Sequence, residues 1–385
     1  MTRVWDVVVI GAGIVGAACA RECAARGLST AVVDAAGIGG GATAAGMGHI
    51  VVMDDSPAQL ALTRWSQQLW RDLSPELPRE VEFESRGTLW VATDEEEMAE
   101  VRRKQGVYAS AGVATEILDS RALAEAEPHL RQGLAGGLLV PSDAVLYPPA
   151  AAAYLLRDAI RMGAVLLASE RVVAAAEGRV WLQNASELSA QRVVNACGAG
   201  ATDLLPELPI RKRRGHLVIT DRYPGFVQHQ LVELGYLKSA HSIAGDSTAF
   251  NVQPRQTGQL LIGSSREFGA EDTNINHALL RAMLERAECY MPGISRLQAI
   301  RVWTGFRAAT PDKLPLIGPW PGDTSLCLAT GHEGLGITTS LATGKLVAAE
   351  ITGEAPGIPA APYFPARYVG ESREAQTLYG KAAHG

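Results

Sequence analysis

Near its start the chain reads Trp5-Asp-Val-Val-Val-Ile10, a short β-branched run that stops at Gly11-Ala-Gly13-Ile-Val-Gly16. Such a run predicts a strand buried on both faces. Ile14 to Arg26 then carries alanines and apolar residues at helical spacing until Gly27 closes the segment. Thr30-Ala-Val-Val-Asp34 supplies a second strand, and its terminal carboxylate lies eighteen residues past Gly16. Strand, glycine turn, helix and acid in this order predict a βαβ unit that binds a dinucleotide. Gly11 permits the tight turn, Gly13 lets amides approach a pyrophosphate, and Gly16 lets helix and strand pack closely. The helix N-terminus adds partial positive charge. Asp34 is suited to accept the hydroxyl hydrogens of an adenosine ribose and would repel a 2′-phosphate, which disfavours NADP.

One such unit does not fill 385 residues that are 47% hydrophobic, so two lobes are expected. A formal net charge of −6 gives no electrostatic reason to bind nucleic acid or an anionic membrane. Cys19, Cys23, Cys197, Cys289 and Cys327 are odd in number and widely spaced, which suits thiols in a reducing compartment and predicts no metal. No apolar run approaches the roughly 20 residues of a membrane span, and Met1–Ile10 leads directly into a strand pattern. A cytoplasmic protein is expected, at most peripheral to a membrane through a complex.

A second glycine-rich stretch, Gly37-Ile-Gly-Gly-Gly-Ala-Thr-Ala-Ala-Gly-Met-Gly48, begins three residues after Asp34. It lacks the Gly-Lys-Ser/Thr of a P-loop, yet its small residues can lie flat against a second anionic or ring system. Together with Val193-Val-Asn-Ala-Cys-Gly-Ala-Gly200 and Trp303-Thr-Gly-Phe-Arg-Ala-Ala-Thr-Pro-Asp312, these motifs stand in an order that resembles the D-amino-acid oxidase family. Within it the chain is most similar to glycine oxidase, the sarcosine oxidase β-like proteins, and the catalytic subunits of D-hydroxyproline dehydrogenase and hydrogen cyanide synthase. The resemblance runs from about Val4 to Gly353.

The resemblance implies an α/β fold: an FAD-binding Rossmann-like domain of residues 1–80, 141–210 and 306–365, and a mixed-sheet α+β substrate domain of 81–140 and 211–305. A tail of 366–385 would wrap the surface or a partner. It implies FAD contacts from Gly11, Gly13, Ile14, Val15 and Gly16, from Asp34 and Ala35 at the adenosine, and from Val172 at adenine. Gly40, Gly41, Ala45, Gly46 and Met47 would follow the ribityl chain and flavin, with Gly198 nearby. His332, Glu333, Gly334, Leu335, Gly336, Ile337 and Thr338 would meet the flavin pyrimidine edge, where a helix opening from about Thr338 would stabilise negative charge on reduced flavin.

The activity implied is oxidation of the C–N bond of a small amino or imino acid, of the D-hydroxyproline, proline, glycine or sarcosine type, by hydride transfer from the α-carbon to flavin N5. Arg307 matches the family arginine that clamps the substrate carboxylate. His49, Phe250, His332 and Glu267 are further candidates, each with an equal claim to a packing role. Gly334 replaces a glycine oxidase arginine, and Leu261 falls near the position where monomeric sarcosine oxidases carry an oxygen-activating lysine. Without that lysine, a dehydrogenase subunit that passes electrons to partner subunits carrying a relay is expected, the chain having no cysteine set for an iron–sulfur cluster. The alternatives are a self-sufficient oxidase producing hydrogen peroxide and a non-catalytic FAD-bearing subunit. Arg211-Lys-Arg-Arg214 is expected on a solvated face, available to an acidic partner.

Overall fold

The computed structural model describes residues 3–235 and 245–368. They form two compact units: residues 3–40, 152–211 and 308–368 in the first, and 41–151 with 212–235 and 245–307 in the second. Residues 41–80 and 141–151, assigned from sequence to the FAD-binding domain, thus group with the second unit. Most of the expected tail, 369–385, lies outside the described residues.

Unit 1 is built on an eight-stranded sheet whose main path runs Leu316–Trp320, Asp323–Thr330, Glu187–Asn195, Val4–Ile10, Thr30–Asp34 and Val165–Ala168. The four pairings from Asp323–Thr330 to Val165–Ala168 are parallel. Parallel strands covered on both faces read as continuous apolar runs, and Val7, Val8, Val9, Ala31, Val32 and Val33 are fully buried. The helix Ile14–Ala25 packs along the C-terminal helix Gly336–Thr352. A Cβ at Gly344 would lie 2.6 Å from the Ala18 carbonyl, so glycine there sets the approach of the two helices. The segment after Gly353 is held to the same unit: Arg367 pairs with Asp312, and the Phe364 ring occupies the space a side chain at Gly318 would need.

Unit 2 carries a mixed eight-stranded sheet in the order Ala299–Ala309, Arg211–Arg222, Gln259–Phe268, Ser247–Pro254, Gln230–Glu233, Thr88–Ala92, Gly136–Val140 and Glu116–Asp119. Successive side chains point to opposite faces of a strand, and the two faces of this sheet differ. One carries Leu89, Val91, Leu231, Phe250, Val252 and Ile262, which form an apolar core with Met283 and Ala287 of the helix His277–Tyr290. The other carries Thr88, Trp90, Gln230, Asn251 and Gln253, polar residues that are nonetheless buried.

Candidate active site

The glycine turn expected to meet a nucleotide lies in unit 1 and is shaped by backbone. Gly11 has φ +105°, and a Cβ on it would lie 2.7 Å from the Ala196 carbonyl. A Cβ on Gly16 would lie 1.9 Å from the Gly11 carbonyl, so any larger residue displaces the turn. Ile14 and Val15 open the first helix, whose N-cap is Gly13 with no side-chain cap. The C-terminal helix opens at Gly336, two residues before the expected Thr338, and its N-cap Leu335 also lacks a side-chain cap. Four other helices are capped by Ser56, Asp94, Asp119 and Asn276. A Cβ on Gly336 would lie 3.8 Å from Val15, so the two uncapped N-termini meet. Converging helix N-termini form an environment for phosphate or anionic flavin oxygens.

Asp34 closes the turn. Its Oδ2 accepts from Ala12 N at 2.7 Å, and its Oδ1 accepts from Ala36 N and Gly37 N at 2.8 and 2.6 Å. The carboxylate therefore orders the loop, a role that spacing alone does not reveal. Gly39 N donates to the Ala12 carbonyl at 2.8 Å and ties the second glycine-rich stretch to the first. Gly40 continues that stretch, and Ala35 is exposed. Val172 begins the strand that pairs with Arg179–Leu182. Gly198, at φ +56°, accepts from Thr330 Oγ1 at 2.9 Å and so joins the Val193–Gly200 motif to the strand that precedes His332.

His332 is buried, and its Nε2 lies 3.0 Å from Thr343 Oγ1. That hydroxyl gives its hydrogen to Thr339 O, so the imidazole donates from Nε2. Burial pushes its pKa down to about 3, leaving a neutral ring that braces the C-terminal helix. Glu333 takes a left-handed φ of +49° and donates its N–H to Ala308 O at 2.9 Å. The turn leaves Gly334 exposed before Leu335, Gly336, Ile337 and Thr338 enter the helix.

In unit 2, Gly41–Ala45 forms a short helix followed by Gly46 and Met47. Glycines on three neighbouring strands shape the sheet beneath this segment and beneath Arg307. A Cβ on Gly305 would lie 2.3 Å from Ala45 Cβ, one on Gly263 would lie 3.2 Å from Met47 Sδ, and one on Gly215 would lie 2.4 Å from Arg307 Nη1. Gln253 Nε2 donates to Met47 O at 2.9 Å. Arg307 Nη1 donates to Ser265 O at 2.9 Å, which lays the guanidinium over Gly215.

Among the described residues, Trp90 Nε1, Gln230 Oε1, Asn251 Oδ1, Gln253 Oε1 and Trp303 Nε1 are buried with no hydrogen-bond partner. An unmet buried polar atom costs about 1–3 kcal/mol, so water or a polar ligand is expected to meet these groups. Trp303, Gly305 and Arg307 alternate along one strand and share a face. Trp303 packs on Met47, Leu217, Ile219 and Leu261.

Phe250 does not join this group. Alternation turns it to the opposite face, where it is fully buried and stacked on Tyr290 with ring centroids 4.5 Å apart. Its neighbour Asn251 is the residue on the polar side, and a shift of one position along the strand separates the two. Glu267 is likewise engaged structurally, accepting from Arg214 Nε at 2.8 Å and Asn276 Nδ2 at 2.9 Å. Its carboxyl stays below the usual range, chiefly through the Arg214 bond. His49 does lie near Arg307: burial, then the Arg307 charge, pushes its pKa down to about 3. The basic run is not a solvated cluster, because Arg213 and Arg214 are buried and Arg214 also binds Asp272.

A glycine cradle that no Cβ could enter, two uncapped helix N-termini and an acid beside the turn fit FAD. The profile of the FAD dependent oxidoreductase family, DAO, matches residues 6–350. The chain belongs to this family. It is therefore an FAD-dependent oxidoreductase, as its motifs led us to expect. Glycine oxidase from Pseudomonas aeruginosa is 28% identical, covering 94% of this chain and 98% of its own length. The hydrogen cyanide synthase subunit HcnC of Pseudomonas aeruginosa is 26% identical, covering 96% of this chain and 97% of its own. The crystal structure of glycine oxidase from Geobacillus kaustophilus superimposes with a TM-score of 0.85 at 27% identity, over 96% of this chain and all of that one. The α/β fold with a mixed-sheet second lobe is that of these DAO family enzymes. Among the described residues no helix is long and apolar enough to cross a membrane, and no cluster of metal-ligating side chains is present.

Proposed function

We propose that this flavoenzyme oxidises the C–N bond of a small amino or imino acid whose carboxylate is held by Arg307. The observation that carries this reading is the placement of Arg307, its guanidinium flat over Gly215 on a buried sheet face whose amide oxygens have no protein partner. A guanidinium fork matches a carboxylate with two parallel hydrogen bonds. Amide oxygens such as Asn251 Oδ1 are free to accept a hydrogen bond from the substrate's amine N–H. Neutral His49 adds no second charge to compete for the carboxylate. FAD, when bound, supplies the two-electron acceptor. The chain's own contribution is to fix the substrate's orientation and, through Trp303, Leu217, Ile219 and Leu261, to keep water from that part of the sheet.

For the electron route we propose a catalytic subunit of a dehydrogenase complex. Leu261, near the position where the resemblance puts an oxygen-activating lysine, is buried in an apolar cluster, and one relative is itself a subunit of hydrogen cyanide synthase. The glycine oxidase relatives favour the second reading, an oxidase that needs no partner. Anaerobic mixing with glycine, sarcosine, D-amino acids, proline and hydroxyproline epimers tests both. At least one should bleach the flavin, and reoxidation in air should be slow for a dehydrogenase and rapid, with peroxide, for an oxidase. Bleaching by none of them would remove the amine reading.

A further inference from the structure

The arginine that aims at the substrate is itself held by a chain of buried hydrogen bonds. Arg307 Nη1 donates to Ser265 O at 2.9 Å. His216, fully buried and next to the glycine under Arg307, meets the same serine twice. Its backbone N–H donates to Ser265 Oγ at 2.9 Å, and its Nδ1 lies 2.8 Å from that oxygen. Asn276 N–H donates to His216 Nε2 at 3.0 Å. A backbone N–H cannot accept, so Nε2 carries the lone pair and Nδ1 carries the proton that goes to Ser265. Asn276 also caps the helix His277–Tyr290 and donates from Nδ2 to Glu267 Oε1 at 2.9 Å, while Arg214 holds the other Glu267 oxygen. Burial pushes the imidazole pKa down against the pull of Glu267, which keeps this tautomer neutral.

We propose that His216 is a positioning residue for the carboxylate-binding arginine: with two donors on Ser265 and its remaining nitrogen on Asn276, it fixes the serine whose carbonyl orients Arg307. This rests on the reading of Arg307 as the substrate clamp. Both ring nitrogens are committed, so His216 takes no part in proton transfer. The glycine before it belongs to the same device, since a methyl there would push the guanidinium off its support.

Acetate serves as the carboxylate probe, titrated into the holoenzyme and followed by perturbation of the flavin spectrum, with steady-state constants measured on the substrate that bleaches fastest. His216→Phe should weaken acetate and raise KM together by about ten-fold, the scale of one lost buried hydrogen bond, with kcat per bound flavin little changed. His216→Asn, which restores a donor near the Nδ1 position, should recover most of that loss. Gly215→Ala should reproduce the His216→Phe pattern. A merely structural histidine would lower stability or flavin content and leave acetate affinity per flavin as in the wild type, and that result overturns the proposal. If His216→Phe fails to fold, Ser265→Ala decides: weakened acetate binding supports the relay, and wild-type binding overturns it. Arg307→Ala separates the two ideas. If it binds acetate normally, the clamp reading itself fails; if it loses acetate while His216→Phe keeps it, only the positioning role fails.

Discussion

Unit 1 and unit 2 differ in what lines their candidate ligand positions. Unit 1 works with backbone: glycines at Gly11, Gly13 and Gly16, and helices opening at Ile14 and Gly336 without side-chain caps. Unit 2 works with side chains on one face of a sheet, where Arg307, Asn251, Gln253 and Trp303 are buried or half-buried opposite an apolar core. Backbone recognition suits a cofactor whose phosphates and ribose do not vary. Side-chain recognition allows substrate choice to change one residue at a time without disturbing the cofactor.

The sharpest way to break this division is to damage each unit separately. Gly16→Val drives a side chain into the Gly11 carbonyl at a position where even a Cβ lies 1.9 Å away. Overpacking of that kind costs about 3 kcal/mol or more, and the purified protein should lack flavin absorbance. Next in size is Arg307→Ala, which should lower kcat/KM by roughly 10²–10³, the cost of truncating one partner of a buried charged pair, while bound FAD stays at the wild-type level. Loss of flavin in Arg307→Ala, or retention in Gly16→Val, would contradict the separation of roles.

A third prediction concerns a carboxyl group inside unit 2. Asp143 is buried, accepts from Gln67 Nε2 and Val52 N, and has its pKa raised to about 7, burial outweighing those bonds and the Lys104 charge. A carboxyl whose folded pKa exceeds its unfolded value contributes stability that is complete below pH ~4 and lost as pH rises through ~7. His49 and His332 act in the opposite sense, their low folded pKa values removing stability as pH falls below ~6.5. Asp143→Asn should therefore abolish the alkaline loss and leave the acidic one, a difference on the order of a few kcal/mol between pH 5 and 8 in chemical denaturation. The smallest effect is expected at the strand residue on the core side. Phe250→Leu should cost about 1–2 kcal/mol of stability and leave KM unchanged, whereas Asn251→Ala should raise KM.

What could be read from the chain follows the same division. A glycine pattern reports a backbone requirement directly, so the tight turn at Gly11 and Gly16 and the helix that follows were legible in the sequence. The polar sheet face was not, because it depends on strand register. Phe250 and Asn251 are adjacent, and only pairing with Val232 and Gly263 shows which of them leaves the core. Gly215 and Gly263 belong to no sequence motif, and their role, like that of Gly305, depends on the Arg307, Met47 and Ala45 side chains that lie above them. The basic run misled for a related reason: charge in sequence suggests solvent, but Arg214 has Glu267 and Asp272 as partners from distant segments.

The central claim is that unit 2 reads a carboxylate through Arg307. The most direct measurement compares anaerobic flavin reduction by an amino or imino acid that bleaches the enzyme with reduction by its methyl ester, in the wild type and in Arg307→Ala. The account predicts that the wild type prefers the free acid by about a hundred-fold or more, as expected for a charge-assisted pair, and that Arg307→Ala loses this preference. An ester that reduces wild-type flavin as fast as the acid, or a preference that survives in Arg307→Ala, would contradict it.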